Sequence, residues 1–300
     1  MEIIRCRFCT KGGKAVFKIA ILGCENSHAE NFLQIIRDEK YEDVEVVGVY
    51  SCFPGEGEKL QEKYGVPVAE SYDAFVGKID GLVITARHGD NHYKYAKPYL
   101  DSGIPMFIDK PITITEEEAC AFLQEVKERE IPLCGGSILK HASGVQALKD
   151  EILSEKHGAV LGGFVRSPID LESEHGGFYF YSQHLVQIMG ELFGYYPNSV
   201  RMYRNGGTLT CTVRYDGYDV TCVYTDKSYV YYAAVNFSDS VEGDIFGLEG
   251  ASSREFRDFH DLLLGKPQTQ SYEDIFAPVF IMNAMERALL SGDEESVHRC

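Results

Sequence analysis

The chain has 300 residues, 44% of them hydrophobic, which is enough for two domains with cores of ordinary size. Its 46 acidic residues outnumber its 29 basic ones and give a formal net charge of −17, which argues against nucleic acid and acidic membrane surfaces as partners. No apolar run is long enough to cross a bilayer, and the first residues lack the apolar core of a signal peptide, so we expect a cytoplasmic protein.

The nine cysteines predict reduced thiols, because their number is odd and no signal peptide accompanies them. Cys6 and Cys9 are the only close pair in the sequence. No second pair and no nearby histidine completes a set of zinc ligands. We therefore expect no metal site.

Residues 1–16 form an extension without a clear period. From residue 17 to 137, short apolar segments alternate with amphipathic helices, a pattern typical of a parallel sheet with helices on both faces. We predict strands at residues 17–22, 44–50, 81–84, 106–108 and 133–135. Ligands bind at the carboxyl ends of such strands, so the residues that follow each strand are candidates for a site.

The first strand is followed by Gly23-Cys24-Glu25-Asn26-Ser27-His28. A dinucleotide-binding turn normally has the pattern G-x-G-x-x-G, whose glycines let the backbone approach the pyrophosphate, and only Gly23 remains here. Ser27 and Glu30 have the spacing of a capping box, which predicts a helix from Ser27 with amides free to receive a phosphate. Glu25 brings a carboxylate close to that phosphate unless its side chain turns away.

The second strand is followed by Ser51 instead of the Asp or Glu that accepts hydrogen bonds from the ribose hydroxyls of NAD. Serine can bind a ribose or a 2′-phosphate, and no arginine follows it. We expect NAD or NADP as the cofactor, with NAD slightly favoured and with weaker binding than a glycine-complete turn would give. The alternative is that Ser51 is an ordinary turn residue in a site no longer specialised for either nucleotide.

Two further strand ends carry polar residues. Arg87 and His88 follow the third strand, in a loop that either touches the nicotinamide ribose or is simply exposed. The fourth strand ends at Asp109-Lys110-Pro111, and residues 92–100 before it have helical spacing. A lysine on the rim of a cofactor cleft can bind a substrate hydroxyl and help to move its proton. For an isolated lysine, a solvated strand end would be the alternative.

The pattern changes after residue 137. A predicted helix at residues 141–154 precedes β-type segments at residues 161–166, 199–203, 208–215, 220–225, 229–237 and 244–248. Asn205-Gly206 and Asp216-Gly217 are hairpin signals between them. Residues 138–300 are therefore predicted to form an α+β domain with an open, mostly antiparallel sheet, the whole chain being of the α/β class. We expect the helix at 272–291 to pack on this second domain by Phe276, Val279, Ile281, Met282, Met285 and Leu289.

The chain resembles the Gfo/Idh/MocA family of NAD(P)-dependent oxidoreductases from FKIAILG to SYEDIFAPVFIMNAMERALLSG. In that family the fourth strand ends in Glu-Lys-Pro, close to Asp109-Lys110-Pro111, and a histidine in the position of His92 opens the preceding helix. The resemblance implies an N-terminal Rossmann domain over residues 17–137. Its implied cofactor-binding residues are Gly23, Cys24, Glu25, Asn26, Ser27, His28, Ser51, Thr85, Arg87, His88, His92, Asp109 and Lys110.

The resemblance also implies Lys110 and His184 as catalytic residues. His184 matches the family's catalytic histidine, whose imidazole titrates close to working pH and can move a hydroxyl proton. The family's aspartate four residues earlier is Phe180 here, and Tyr179, Tyr181 or Gln183 could substitute for it. The predicted substrate-binding residues are Lys140, Tyr181 and His184. Lys140 occupies the place of a family arginine near the cleft, and a solvated lysine at a helix start is an equal alternative.

Three functions remain open from the sequence. The first is an NAD(P)-dependent oxidoreductase that transfers a hydride between nicotinamide and a secondary alcohol or ketone of a sugar, polyol or cyclitol. The second is an NAD-assisted glycosidase or lyase, and the third is a catalytically silent protein that binds a nucleotide or sugar. The retained Lys110 and His184 favour an enzyme, whereas Phe180 and the lost glycines favour a silent relative. Alternating Val, Thr and Tyr on the second sheet predict a homodimer or homotetramer.

Overall fold

The computed structural model describes residues 9–11 and 14–300. The first part of the chain forms a parallel sheet between two layers of helices. Its elements are β1 (Cys9–Lys11), β2 (Lys14–Leu22), α1 (Ser27–Asp38), β3 (Val44–Tyr50), α2 (Glu56–Tyr64), β4 (Gly81–Ile84), α3 (Asp90–Ala96), β5 (Met106–Asp109), α4 (Glu116–Glu128) and β6 (Leu133–Gly136). All five predicted strands are present.

The strand β2 lies at the centre of this first sheet. It pairs in parallel with β3 on one side and with β4 on the other, and β5 and β6 follow β4. All four residues of each of β4, β5 and β6 are buried, because helices cover both faces. This order brings the ends of β2, β3, β4 and β5 to one edge, where the predicted nucleotide residues lie.

The predicted N-terminal extension, residues 1–16, includes strand residues that its sequence does not signal by any clear period. Residues Cys9–Lys11 pair antiparallel with the start of β2, and β2 itself begins at Lys14. The apolar run of β2 is long enough to offer backbone partners before residue 17. Cys6 lies outside the described residues, so the close spacing of Cys6 and Cys9 is known from the sequence alone.

The second part of the chain forms a seven-stranded mixed sheet in the order β12-β11-β7-β10-β9-β8-β13. All neighbouring strands are antiparallel except β7 and β10, and the fold class predicted from the sequence is confirmed. Both predicted hairpins form, at Asn205-Gly206 and Asp216-Gly217. The elements are α5 (Ser143–Leu153), β7 (Val160–Ile169), α6 (Phe178–Phe193), β8 (Ser199–Asn205), β9 (Thr208–Arg214), β10 (Asp219–Asp226), β11 (Tyr231–Phe237), β12 (Val241–Phe246), α7 (Ala251–Leu263), α8 (Tyr272–Ser291) and β13 (Glu294–Ser296).

The last two long helices do not belong to the second sheet alone. In α8, Ile281, Met282 and Met285 pack in the core of the second sheet, as expected. Phe276 and Val279, however, lie in the core of the first sheet, which corrects the expectation for these two residues. A helix of 20 residues is about 30 Å long, so it reaches both cores.

The helix α7 packs mainly against the first sheet, through Phe256, Phe259, Leu262 and Leu263. Its Phe256 ring packs edge to face against Phe32 of α1, with centroids 5.2 Å apart. Phe32 in turn packs against Phe107 of β5 at 5.0 Å. This placement brings Glu255, the residue before Phe256, beneath the start of α1.

The expectation that all thiols are reduced was wrong for one pair. Cys120 of α4 forms a disulfide with Cys300, and their Cα atoms are 5.5 Å apart. The final residues lie along α4, where His298 Nδ1 also contacts Glu116 Oε2 at 2.9 Å. The tail is thus held by a covalent bond and a hydrogen-bond contact. The described cysteines that remain free are Cys24, Cys52, Cys134, Cys211 and Cys222.

We expect peptide mapping of the native, non-reduced protein to recover Cys120 and Cys300 in one crosslinked species. A thiol reagent added without reductant should spare both residues and label the exposed Cys52, which serves as an internal control. Labelling of Cys300 to the same extent as Cys52 would contradict the pairing.

Candidate active site

A cavity of 590 Å³ opens between the two sheets, at the carboxyl ends of the parallel strands. Its walls come from the start of α1, from the loop after β4 and from the segment that leads into α6. The lining residues are Asn26, Ser27, Arg87, Asp170, Glu172, Ser173, Glu174, His175, Phe180 and Tyr181. This is where a parallel sheet of this order binds its ligand.

The turn after β2 retains the features needed to receive a phosphate. Gly23 has φ +80°, and a Cβ at this position would lie 2.2 Å from Ala86 N, so only glycine fits. The helix α1 starts at Ser27, as predicted, but its N-cap is Asn26, whose Oδ1 accepts from His28 N at 3.3 Å. Among the described residues, the backbone N–H groups of Glu25 and Ser27 have no acceptor. They remain available for an anion.

The capping box predicted from Ser27 and Glu30 does not form. Glu30 instead accepts hydrogen bonds from Lys63 and from the Tyr64 hydroxyl, both at the end of α2. Asn26 precedes Ser27 and has a short amide side chain, which caps a helix at least as well as serine does. The N-cap thus lies one residue earlier than predicted, at Asn26, and the helix still starts at Ser27.

Glu25 is almost buried, with 7% of its surface exposed, and its carboxylate has two partners. Oε2 accepts from Ser51 Oγ at 2.7 Å, and Oε1 accepts from Arg87 N at 3.2 Å. The side chain therefore connects the ends of β3 and β4. The carboxylate is fixed in this position by donors from both sides.

Two predicted nucleotide residues bind backbone atoms. Thr85 is buried, and its Oγ1 donates to Gly23 O at 3.1 Å. His92 is also buried, with ring nitrogens 2.6 Å from Pro111 O and 2.8 Å from Ala86 O. Both side chains hold the loops at the strand ends together and do not line the cavity.

The loop after β4 is more exposed. His88 is partly exposed, and its Nδ1 accepts from Asp90 N at 3.4 Å. The guanidinium of Arg87 spans the cavity, with Nη1 3.4 Å from His175 Nε2. The loop thus forms one wall of the cavity through Arg87.

Lys110 is buried at the end of β5, with 6% of its surface exposed. Its Nζ donates to Phe180 O at 3.1 Å and lies 4.4 Å from the centroid of the Phe180 ring. Burial lowers the pKa of Lys110, although the nearby Asp109 carboxylate opposes this shift. Phe180 thus contacts the ammonium through its ring and carbonyl, a cation–π arrangement where the family has an aspartate.

His184 lies on α6, the helix that packs against the second sheet, and it faces Lys110. Ser137, just after β6, places Oγ 2.7 Å from His184 Nδ1. Because Ser137 Oγ accepts from Leu139 N, its hydroxyl proton is free to donate to Nδ1. Burial lowers the pKa of His184 well below its ordinary value, and the charge of Lys110 adds to this. The neutral ring then carries its proton on Nε2.

Ser137 was missed by the sequence-based prediction of the site. It orients the histidine, a role for which Tyr179, Tyr181 and Gln183 are the candidates in the sequence. The Tyr179 hydroxyl donates elsewhere, to Glu286 Oε2 at 2.7 Å, and Gln183 is buried without a hydrogen-bond partner among the described residues. Tyr181 contacts His184 only through its ring, with centroids 5.5 Å apart. The position of Ser137 at a predicted strand end was the available signal.

Lys140 faces away from this cavity. Its Nζ donates to Gly135 O at 2.8 Å and to Gln270 Oε1 at 2.7 Å. It lines a separate cavity of 360 Å³ together with His141, Lys149 and Glu191. The structure does not bring Lys140 together with Lys110 and His184.

A buried charged cluster lies behind Lys110. Asp109 Oδ2 accepts from Asn26 Nδ2 at 2.9 Å and lies 3.3 Å from His28 Nδ1. Glu255 Oε2 is 3.9 Å from the same nitrogen of His28. Asp109 and His28 were predicted from the sequence as nucleotide ligands, whereas Glu255 of α7 was missed, since it lies far along the chain without a local motif.

Burial and the neighbouring groups together set the pKa values in this cluster. Burial acts to raise the pKa of Asp109, but the charge and hydrogen bond of His28 lower it to about 2. Burial acts to lower the pKa of His28, but the Asp109 carboxylate raises it to about 9. Burial raises the pKa of Glu255 to about 8. At neutral pH we therefore assign a His28–Asp109 ion pair beside a protonated Glu255.

The comparisons with known proteins agree with this geometry. The model of the Gfo/Idh/MocA oxidoreductase family, with an NAD-binding Rossmann fold, matches residues 17–135. The first domain of the chain is thus similar to the NAD-binding domain of this family. The resemblance to this oxidoreductase family that the sequence predicts is thereby confirmed over these residues. No curated protein sequence matches the chain.

Solved structures share the fold over nearly the whole chain. Scyllo-inositol dehydrogenase from Lactobacillus casei, with bound NAD(H) and scyllo-inositol, has a TM-score of 0.82 and 16% identity, covering 94% of this chain and 99% of its own. Myo-inositol 2-dehydrogenase from Lactobacillus plantarum has 0.82 and 14%, covering 94% and 100%. GenD2 from gentamicin A biosynthesis, in complex with NAD, has 0.83 and 13%, covering 95% and 97%. At these identities the similarity concerns the fold.

The described residues show neither a metal site nor a membrane-spanning helix. They contain no group of His, Cys, Asp and Glu side chains arranged to hold a metal ion. Over the same residues, no helix combines the length and apolar character needed to span a membrane.

Proposed function

We propose that the chain is an NAD(P)-dependent dehydrogenase acting on a secondary alcohol or ketone of a cyclitol, polyol or sugar. The observation that carries the proposal is the approach of Lys110 and His184 to one side chain from different sheets. Lys110 Nζ lies 5.7 Å from the centroid of the Tyr181 ring, and the His184 ring centroid lies 5.5 Å from it. Burial lowers the pKa of Lys110, which brings its neutral amine closer to working pH. Burial also lowers the pKa of His184, which keeps the imidazole neutral and able to donate a hydrogen bond.

The cofactor, when bound, accepts or supplies the hydride at its nicotinamide ring. The residues of this chain handle the substrate oxygen. In the direction of oxidation, the neutral amine of Lys110 accepts the hydroxyl proton, because burial brings this form closer to working pH. His184, oriented by Ser137, donates its Nε2 proton in a hydrogen bond to the same oxygen. Reduction of a ketone runs these steps in reverse.

The cofactor fits the residues at the other end of the cavity. The free amides of Glu25 and Ser27 at the start of α1 would hold the pyrophosphate. Gly23 leaves the room that the turn needs. Phe180 and His175, whose ring centroids are 5.2 Å apart, would exclude water from the reacting groups.

Solved structures that share the fold support this substrate class. They include two inositol dehydrogenases, one of them with scyllo-inositol bound. A silent nucleotide-binding relative is the weaker reading, since Ser137 supplies the orientation that the lost aspartate would have given. No observation favours a glycosidase or lyase.

The proposal is tested by incubating the protein with NAD or NADP and a panel of cyclitols, polyols and sugars. We expect absorbance at the wavelength of reduced nicotinamide to rise with at least one substrate. The variant Lys97→Ala, at an exposed lysine of the same domain, should behave like the wild type. Consumption of a substrate without net reduced nucleotide would instead support the non-redox enzyme, and bound nucleotide without any turnover would support the silent protein.

We also propose that the chain forms a homodimer or homotetramer through the outer face of its second sheet. Its outer face carries a row of residues in register across six strands: Tyr203, Thr210, Val223, Arg166, Tyr232 and Ile245. Ile245 and Tyr203 are 65% and 50% exposed, which is unusual for an apolar sheet face without a partner.

Light scattering should therefore give at least twice the 33.7 kDa chain mass at micromolar concentration. The double variant Ile245→Glu and Tyr203→Glu places charges on this face and should shift the species toward the single chain. A clean 33.7 kDa wild-type species would contradict the proposal.

For localisation, we propose the cytoplasm. The five free cysteines among the described residues suit a reducing compartment. The Cys120–Cys300 disulfide is the one described pair that does not.

A further inference from the structure

The place of the missing ribose-binding acid is occupied by Ser51. In a Rossmann fold, the acid after the second parallel strand accepts hydrogen bonds from the ribose hydroxyls of NAD. Ser51 cannot take over this role alone, because its Oγ already accepts from Phe53 N at 3.0 Å and its proton goes to Glu25. The site therefore needs another acceptor.

Glu25 brings a carboxylate to this position from a different strand end. Its Oε2 is 2.7 Å from Ser51 Oγ, at the end of β3, where the ribose acid would be. Its Oε1 is held by Arg87 N at 3.2 Å. Two donors, one from each neighbouring loop, fix the side chain, so the carboxylate is preorganised before any ligand binds.

The remaining hydrogen-bonding capacity of Glu25 matches a ribose diol. An ionised carboxylate has about four acceptor positions. Ser51 and Arg87 use two of them. The others can accept from the two hydroxyl groups of the ribose.

The surrounding charge disfavours a 2′-phosphate. Glu56 and Glu58 lie in the first turn of α2, which follows Ser51 in the chain. After burial, the charge of Glu25 is the largest of the carboxylate charges that raise the pKa of the neighbouring Cys24 thiol to about 12. The amine of Lys59, the nearest cation along the chain, is already paired with Glu56 at 2.6 Å. A dianionic 2′-phosphate at this position would meet the Glu25 carboxylate.

We propose that Glu25 is the ribose-binding acid of this chain and that it selects NAD over NADP. The proposal rests on the proposed function, since it needs a dinucleotide in the cleft. It assigns to the altered glycine turn a role in binding. On this account, the residue that replaces a glycine compensates for the serine that replaces the acid.

The test is calorimetric titration of the purified protein with NADH and, separately, with NADPH. We expect the wild type to bind NADH more tightly than NADPH by about 100-fold. The isosteric variant Glu25→Gln should weaken NADH binding by about 10- to 100-fold, the value of a hydrogen bond to a charged group, and should narrow the preference. Ser51→Ala, which releases the carboxylate without changing charge, should weaken NADH binding by a smaller factor.

The matched control is Glu58→Gln, which removes a nearby exposed negative charge that makes no hydrogen bond to Ser51. It should leave NADH affinity unchanged. If it narrows the NADH preference as much as Glu25→Gln does, the preference comes from the overall field and the proposal fails.

Two further outcomes separate this proposal from the function on which it rests. Tighter NADH binding by Glu25→Gln, or by Glu25→Gly, would mean that the carboxylate opposes the pyrophosphate, which overturns the proposal and leaves the dehydrogenase intact. The same follows if the wild type binds both nucleotides equally. Absence of binding of either nucleotide to the wild type and every folded variant would overturn both.

Discussion

Lys110→Ala should lower kcat/KM for alcohol oxidation by about 10²–10⁴-fold, the usual loss for a positioned acid–base group. His184→Ala should lower it to a similar extent, since the histidine donates to the oxygen from which Lys110 takes the proton. Both effects should appear mainly in kcat, because the reacting groups stabilise the transition state more than the bound substrate. Steady-state kinetics on the substrate found with the panel measures them.

The conservative variant Lys110→Arg gives the sharper test of the lysine's role. A guanidinium stays protonated at any working pH, so this variant keeps the positive charge but cannot accept a proton. We expect it to be as inactive as Lys110→Ala. In the wild type, the rate of oxidation should rise with pH as the Lys110 amine loses its proton. Near-normal turnover by Lys110→Arg would contradict the assignment of Lys110 as base.

His28→Ala should lower the free energy of unfolding by about 3–5 kcal/mol, because it leaves the Asp109 carboxylate buried without its charged partner. Denaturant titration at pH 6 measures this loss. The matched variant Glu255→Gln replaces a carboxyl group that is already protonated at this pH, so it should change stability little. Equal losses for the two variants would contradict the assigned ion pair.

The same cluster predicts a decline of stability in alkali. The pKa of His28 is raised from 6.5 to about 9 in the fold, so its contribution is complete below 6.5 and is lost as pH rises through 9. The raised pKa of Glu255, about 8 against 4.5, acts in the same direction between these values. Asp109, lowered to about 2, loses its contribution only as pH falls from 3.8 through 2.

We therefore expect the wild-type free energy of unfolding to fall between pH 6 and 9. Glu255→Gln should reduce the slope, since the glutamine does not titrate. A flat profile over this range in the wild type would contradict the cluster.

The architecture was accessible from the sequence because its signals are local. Each parallel strand is a short apolar run ended by polar or turn residues, and Asp109 and Lys110 directly follow such a run. The hairpin at Asn205-Gly206 has a two-residue signature that needs no tertiary information. These features depend on neighbours only a few positions away.

The parts of the site that escaped prediction depend on distant residues. Ser137 and His184 meet across 47 positions, and Asn26 and Asp109 across 83. Lys140 was assigned to the cleft from its place in the sequence, but its direction is set by Gln270, 130 positions later. A strand end fixes where a side chain starts, whereas its direction is decided by whatever packs beside it.

The central claim is that a nicotinamide cofactor binds with its reactive ring between Lys110 and His184. The most direct measurement is the crystal structure of the protein grown with millimolar NADH. The account predicts the pyrophosphate at the start of α1 and the nicotinamide beside Lys110 Nζ, with His184 on the opposite wall. A nucleotide bound elsewhere, for example in the separate cavity lined by Lys140, would contradict it.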